Sequence, residues 1–174
     1  GEYTALVFAG AMSFEDGLRV VQKRGQAMQA AAEATPSGMV SVLALDQSAV
    51  DAIVQQASSA GLIQLANYLC PGNLVVSGTS AACDKVVELV EATGAKSVRL
   101  AVAGAFHTSI MNPADEKLAE ALSGVATQAP RAPAWSHVAA PPPPHPAPTK
   151  ALLVRQMLGP GMWEPPMRVV AAGG

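Results

Sequence analysis

Two side chains in this sequence stand where chemistry could be done. His107 follows an apolar run, Val98-Arg99-Leu100-Ala101-Val102-Ala103, that stops at Gly104 and hands over an imidazole flanked by the aromatic Phe106. Imidazole takes up and returns a proton near neutral pH, so a histidine released at the end of a strand is a candidate general base. The carboxyl ends of strands are also where α/β folds place catalytic and binding groups. Taken alone, such a histidine is more often structural than catalytic. The second side chain is Arg24, three residues after Val21 and close to the apolar side of its helix. Its ordinary reading is a surface arginine whose stem lies along apolar neighbours.

The elements that must position these groups follow from pattern. Gly1 to Ala11 reads as the first turns of a buried helix, after one acid, Glu2. Ser13-Phe14-Glu15-Asp16 is a capping box, a serine N-cap with an acid three positions on, and opens a helix to about Ala34. Leu18, Val21, Met28 and Ala32 mark its apolar face. Thr35-Pro36-Ser37-Gly38 breaks the helix. Met39 to Leu45 is then a strand, Asp46 caps a helix to about Ala60, and Leu62–Leu69 and Leu74–Ser77 are strands joined by a tight turn at Cys70-Pro71-Gly72-Asn73. Thr79 to Ala92 is a helix and Val98 to Val102 a strand. This β-α-β-β-α-β order is the split-βαβ, ferredoxin-like arrangement, and it hosts too many functions to name one. Pro113 to Leu122 reads as a helix, Pro130 to Ala140 as a strand region, and Pro141 to Pro148 as a polyproline linker. Thr149 caps a short helix through Leu158, which Gly159-Pro160-Gly161 ends, and the tail from Trp163 has weak structure.

Composition narrows the function classes. Of 174 residues, 50% are hydrophobic, 4% aromatic and only 14% charged, so the core must use many small side chains. The net charge of −2, with no basic stripe, argues against a nucleic-acid partner. No apolar run approaches the ~18 residues of a membrane-spanning helix, so no membrane partner is expected. Cys70 and Cys83 have neither metal-ligand spacing nor the arithmetic of a disulfide framework, and a reducing compartment is the simpler inference. No internal repeat, phosphate-cradling glycine loop, HExxH or C-x-x-C occurs, which removes P-loop, metalloprotease, zinc-finger and thioredoxin-like chemistry. No metal ligands are assigned.

Five stretches resemble one family, the malonyl-CoA:acyl-carrier-protein transacylases and the related acyltransferase domains of fatty-acid and polyketide synthases. Gly1-Glu2-Tyr3-Thr4-Ala5-Leu6 resembles the residues just after the nucleophilic serine in the family's G-H-S-x-G-E elbow. Phe14-Glu15-Asp16 through Arg24-Gly25-Gln26-Ala27-Met28-Gln29 resembles the helix with the substrate-carboxylate arginine. Asn67 through Pro71-Gly72-Asn73 and Val75-Val76-Ser77-Gly78, the stretch Gly104-Ala105-Phe106-His107-Thr108, and Leu153-Val154-Arg155-Gln156 with Pro160 and Trp163 resemble its asparagine, catalytic-histidine and late-helix motifs. The wording around Asn67–Asn73 and Ala101–Thr108 is most similar to plastid enzymes of plants and algae.

The resemblance implies a fold and a reaction. The fold is an α/β-hydrolase-like acyltransferase core with an inserted ferredoxin-like subdomain. Residues 1–35 and 104–140 would belong to the large part, 36–103 to the small one, 141–148 to a linker, and 149–174 to a terminal helix and tail. The reaction moves malonyl between thiols by a ping-pong route, with serine as nucleophile and His107 as base. A backbone carbonyl or a glutamine-type partner, at the position of Gln156, would orient that base. Arg24 would grip the malonyl carboxylate, a task for a planar guanidinium. Phe106 would exclude an α-methyl branch, and Asn67 would support the site. His137 and His145 are expected to be exposed bystanders, and neither cysteine has a redox role. No bound cofactor is implied; the substrates are malonyl-CoA and phosphopantetheinyl acyl carrier protein, the latter also the partner. A monomer in the plastid stroma is expected, with a bacterial cytoplasm as the alternative.

Three departures accompany the resemblance. The elbow serine would lie two residues before Gly1, the polyproline stretch replaces an Asn-rich strand end, and the match stops after Trp163. The expectation is an N-terminally truncated piece that cannot transfer acyl groups by itself. An acyltransferase domain fragment of a polyketide or multidomain synthase and a non-catalytic ferredoxin-like module are the competing readings.

Overall fold

The computed structural model describes residues 1–132, 134, 136–138 and 146–172. In chain order the elements are α1 (Glu2–Phe8), α2 (Phe14–Ala34), β1 (Ser37–Leu43), α3 (Gln47–Ala57), β2 (Ile63–Cys70), β3 (Asn73–Thr79), α4 (Ser80–Ala92) and β4 (Lys96–Arg99). A 3₁₀ turn at Ser109–Met111, α5 (Ala114–Ser123), α6 (Pro146–Leu158), β5 (Gly161–Met162) and α7 (Glu164–Ala172) complete them.

Local chemistry sets most of these boundaries. Ser13 Oγ accepts from the Asp16 amide at 3.0 Å and caps α2, and Asp46 Oδ1 accepts from the Ala49 amide at 2.8 Å and caps α3. Pro71-Gly72 turns β2 into β3, with Gly72 at φ +74°, where a side chain would be strained. Alternation then decides the faces. Val40 and Val42 of β1 and Leu74 and Val76 of β3 join the α3/α4 core, whereas Met39 and Val75 point to the opposite side with Ala66. The sheet order is β4-β1-β3-β2-β5, antiparallel throughout except for the parallel pair β2/β5. A second, helical core gathers Tyr3, Leu6, Val20, Met111, Leu118, Leu122, Leu153 and Met157 from α1, α2, α5, α6 and the 3₁₀ turn.

Several expectations are corrected here. The strand expected at Val98–Val102 is instead Lys96–Arg99, and Ala101, Val102 and Ala103 are exposed irregular chain. As an edge strand, β4 is itself largely exposed, so His107 arrives on a loop rather than at the end of a buried strand. The buried stripe of α2 is Gly17, Val20, Ala27, Ala31 and Ala32, while Leu18 and Val21 are 60% and 45% exposed. Small residues carry that contact because the helices approach closely: a Cβ at Gly17 would lie 2.6 Å from Val7 Cγ2. Leu18 and Val21, with Phe8 and Phe14, border an apolar groove of about 400 Å³ between α1 and α2. The tail is helical over Glu164–Ala172, α6 begins at Pro146 rather than Thr149, and 130–140 contributes no extended strand among the described residues. Residues 141–145 of the expected linker lie outside the described residues.

One contact ties the helical core to the loop that bears His107. A Cβ at Gly104 would lie 2.6 Å from Ala32 Cβ and 3.0 Å from its Cα, so backbone rests directly on α2. Gly104→Ala should therefore destabilise the chain by about 1–3 kcal/mol. Combined with Ala32→Gly, it should cost less than the two separate losses added together. Urea unfolding of the unsubstituted chain, the two single variants and the double variant measures this coupling, and simple additivity would contradict the close approach.

Candidate active site

The loop from Gly104 to Met111 is held at each polar opportunity. Ser37 Oγ accepts from the Ala105 amide at 3.1 Å. Thr108, fully buried, donates its hydroxyl to the Ala105 carbonyl at 2.8 Å and accepts from the Ile110 amide at 3.2 Å. Gln64 Nε2, from β2, donates to the His107 carbonyl at 2.9 Å. Within this frame His107 adopts φ +63°, a left-handed conformation that a non-glycine residue rarely takes unless its surroundings impose it.

The backbone conformation delivers the imidazole to the end of α6. His107 Nδ1 lies 2.8 Å from the Gln156 carbonyl oxygen and 3.0 Å from that of Gly159. Carbonyl oxygens only accept, so Nδ1 must carry the proton and the lone pair of the neutral ring resides on Nε2. That tautomer is the one a general base needs. Burial pushes the His107 pKa below its ordinary 6.5; the carbonyls of Gln156 and Gly159 oppose this, and the charges of Arg24 and His137 add to it. The ring is therefore neutral, with Nε2 free to accept, at neutral pH.

Arg24 falls on the buried stripe of α2, in line with Val20, Ala27 and Ala31 at helical spacing, which explains its apolar surroundings. Its guanidinium carbon lies 5.8 Å from the centre of the Tyr3 ring, a cation–π contact. Arg24 Nε is buried with no hydrogen-bond partner among the described residues, and so is the Tyr3 hydroxyl. Burial pushes the Tyr3 pKa up to about 12 against the pull of Arg24, so the phenol stays neutral. A guanidinium with an unused donor, held over an aromatic face, can receive a carboxylate.

Phe106 packs against both the helical core and the small cluster of Met39, Ala66 and Val75 under the sheet. Asn67 is half-buried on β2 and pairs with Gly161 of β5. A Cβ at Gly161 would lie 2.5 Å from Asn67 Nδ2, so Asn67 rests on the strand that follows Gly159. It makes no hydrogen bond to His107 or Arg24.

Gln156 meets His107 through its backbone carbonyl alone. Its side chain goes elsewhere, Nε2 donating to Glu2 Oε2 at 3.0 Å and lying 3.4 Å from His137 Nδ1. The buried Glu2 stands at the last position of the elbow motif, which gave it no role; the structure makes it the acceptor of the Gln156 side chain. His137 is not an exposed bystander: it is half-buried and meets the Trp163 ring edge-to-face at 5.5 Å. His145 lies outside the described residues. Both cysteines are free thiols, Cys70 exposed and Cys83 buried, and among the described residues no three His, Cys, Asp or Glu side chains gather as a metal site would require.

The depressed histidine has a consequence for stability. Because its folded pKa lies below the unfolded value near 6.5, its contribution is fully present above pH 6.5 and lost as the pH falls through the folded midpoint. The stability of the chain should therefore drop faster below pH 6.5 than that of His107→Gln. Urea unfolding at several pH values tests this, and parallel curves would contradict the buried neutral ring.

Comparison with known proteins gives one consistent result. A family model described as acyl transferase domain matches residues 1–158. The chain is 38% identical over 176 residues to the malonyl CoA-acyl carrier protein transacylase of Bacillus subtilis, covering 100% of this chain and 56% of the relative. It is 39% identical over 179 residues to the human mitochondrial malonyl-CoA-acyl carrier protein transacylase, covering 98% and 46%. Among solved structures it resembles the transacylase of Coxiella burnetii, with a TM-score of 0.95 and 29% identity over 100% of this chain and 55% of that one. It also resembles the malonyl-transacylase in a complex with its type II PKS acyl-carrier protein, with a TM-score of 0.92 and 30% identity over 100% and 57%. The chain spans about half the length of the curated relatives it matches.

Proposed function

The chain belongs to the acyl transferase domain family, and from that premise we propose that it forms part of a malonyl-CoA:acyl-carrier-protein transacylase. The observation that carries this reading is the His107 ring, whose Nδ1–H is held by the carbonyls of Gln156 and Gly159 so that Nε2 is the accepting nitrogen. The proposed nucleophile is a serine that the family motif places two residues before Gly1.

Each half of the reaction then uses the ring once as base and once as acid. His107 Nε2 takes the serine hydroxyl proton as the oxygen attacks the thioester carbonyl of malonyl-CoA; the C–S bond breaks, and the same proton passes to the departing CoA thiolate. In the second half, Nε2 takes the proton of the phosphopantetheine thiol, the sulfur attacks the malonyl-serine ester, the C–O bond breaks, and the proton returns to the serine. The carbonyls of Gln156 and Gly159 stabilise the imidazolium formed in each half, aided by the negative end of α6. Arg24 pairs with the free malonyl carboxylate and keeps it away from the reacting carbonyl. Phe106, wedged between two packed clusters, is the wall that would meet an α-methyl branch.

The relatives' names support malonyl transfer to a carrier protein, and one relative was solved with such a carrier. We extend the reading to a plastid location, on the wording of Asn67–Asn73 and Ala101–Thr108, and, as what the family resemblance implies, to type II fatty-acid synthesis by a monomer. A bacterial cytoplasm is the alternative. The β4-β1-β3-β2 order, with α3 and α4 against its Val40/Val76 face, supports a ferredoxin-like subdomain over residues 36–103. The segments 1–35 and 104–140 would then belong to the larger acyltransferase part.

The test uses the complete protein, including the serine segment, and follows transfer of labelled malonyl from malonyl-CoA to carrier protein. Arg24→Ala should lower malonyl transfer about 100-fold, the scale of a lost pair of charge-assisted hydrogen bonds, and barely alter acetyl transfer. Equal losses for the two acyl groups would remove the carboxylate clamp. Phe106→Ala should raise methylmalonyl transfer relative to malonyl; an unchanged ratio would remove the steric role.

A further inference from the structure

Both the backbone that bears His107 and the carbonyls that receive its ring are fastened to β2, at positions three residues apart. Gln64 Nε2 donates to the His107 carbonyl at 2.9 Å across 43 residues of sequence. Asn67 pairs with Gly161, and Tyr68 with Met162, which fixes the strand immediately after Gly159. The spacing is not that of a regular strand, because β2 carries a bulge between Leu65 and Asn67 that re-aims the side chains on either side of it. Gln64 itself is paired in register with Ser77 of β3, so its Cα is fixed by the sheet.

From this arrangement we propose that Gln64 is a positioning residue for the base, its side-chain amide locking the His107 peptide in the left-handed conformation that sends Nδ1–H to the Gln156 and Gly159 carbonyls. The inference rests on the reading of His107 as the base. Three facts make Gln64 more than a surface contact. Among the described residues His107 is one of two non-glycine residues with positive φ, a conformation that relaxes readily unless a specific bond opposes it. The carbonyl that Gln64 holds belongs to His107 itself, so losing the bond frees the ψ torsion of the residue that bears the ring. The bond also crosses from the sheet to the helical half, so one amide registers the two acceptors on α6 and its exit against the donor on the loop. Asn67 acts at the other end of the same device, steadying the chain behind Gly159 through its contact with Gly161.

Two measurements on the 174-residue chain and one on the complete protein decide the matter. In the unsubstituted chain, a Gln64 side-chain amide proton should exchange with solvent more slowly than those of the exposed glutamines; equally fast exchange would overturn the proposal even if no variant folds. In Gln64→Met, which keeps the length and removes the donor, the ring should leave both the two carbonyls that raise its midpoint and the burial, the larger effect, that lowers it, so the midpoint should move up toward 6.5 while the fold is retained; an unmoved midpoint would overturn it. In the complete protein the same substitution should lower kcat for malonyl transfer about five- to tenfold, the factor one neutral hydrogen bond commands, with KM for malonyl-CoA unchanged. A loss in KM alone would overturn it. His107→Ala run in parallel separates the two readings: full activity there would remove the base and leave the exchange and titration results to judge Gln64.

Discussion

The structure turns on a shared hydrogen bond in which one imidazole N–H is divided between two carbonyls at the end of a helix. His107 Nδ1 meets the oxygens of Gln156 and Gly159 at 2.8 and 3.0 Å, and both belong to the last turn and exit of α6, where carbonyls lack intrahelical donors. The arrangement satisfies orphaned carbonyls and sets the tautomer in one step. No carboxylate is needed to orient the ring. Two neutral dipoles do so without adding a formal charge, and burial can then hold the pKa below its ordinary value. A buried carboxylate at that place would have pulled the pKa upward and kept the ring protonated.

Everything around the ring serves to bring a loop and a helix end together from different halves of the molecule. The sheet with α3 and α4 forms one core, and α1, α2, α5 and α6 form another. The loop at 104–108 lies where they meet: Gly104 against Ala32, Ala105 on Ser37, and Phe106 packed on both sides. Arg24 comes from the helical half, steadied on Tyr3, and its charge adds a smaller push to the lowering of the histidine pKa that burial causes. A cation and a neutral base thus share one locality with an aromatic wall between the cores.

Legible in advance was whatever depends on neighbours in sequence. The Ser13 and Asp46 caps, the Pro71-Gly72 turn and the alternation of β1 and β3 are short-range chemistry, and the elements built on them follow in the expected order, although β1 runs Ser37–Leu43 rather than Met39–Leu45 and α3 ends at Ala57. The misreadings have a common cause in tertiary geometry. Leu100 to Ala103 is apolar, so its composition resembles a buried strand, yet the strand before it is an exposed edge that ends at Arg99 and these residues lie largely exposed. The face of α2 was assigned by its large residues, whereas close helix contact selected Gly17, Ala27 and Ala31. Gln156 acts on the histidine through a carbonyl, a group every residue has, so no sequence motif announces it. Its side chain finds Glu2 across 154 positions, a pairing only the fold reveals.

The His107 ring is thus neutral, protonated on Nδ1 and open at Nε2. Nitrogen-15 spectroscopy of the labelled chain at neutral pH tests it directly. The expected spectrum has an unprotonated Nε2 and a protonated Nδ1 whose hydrogen exchanges slowly and shows coupling to the carbonyl carbons of Gln156 and Gly159. A ring protonated on Nε2, or an Nδ1 hydrogen exchanging at the rate of free imidazole, would contradict it.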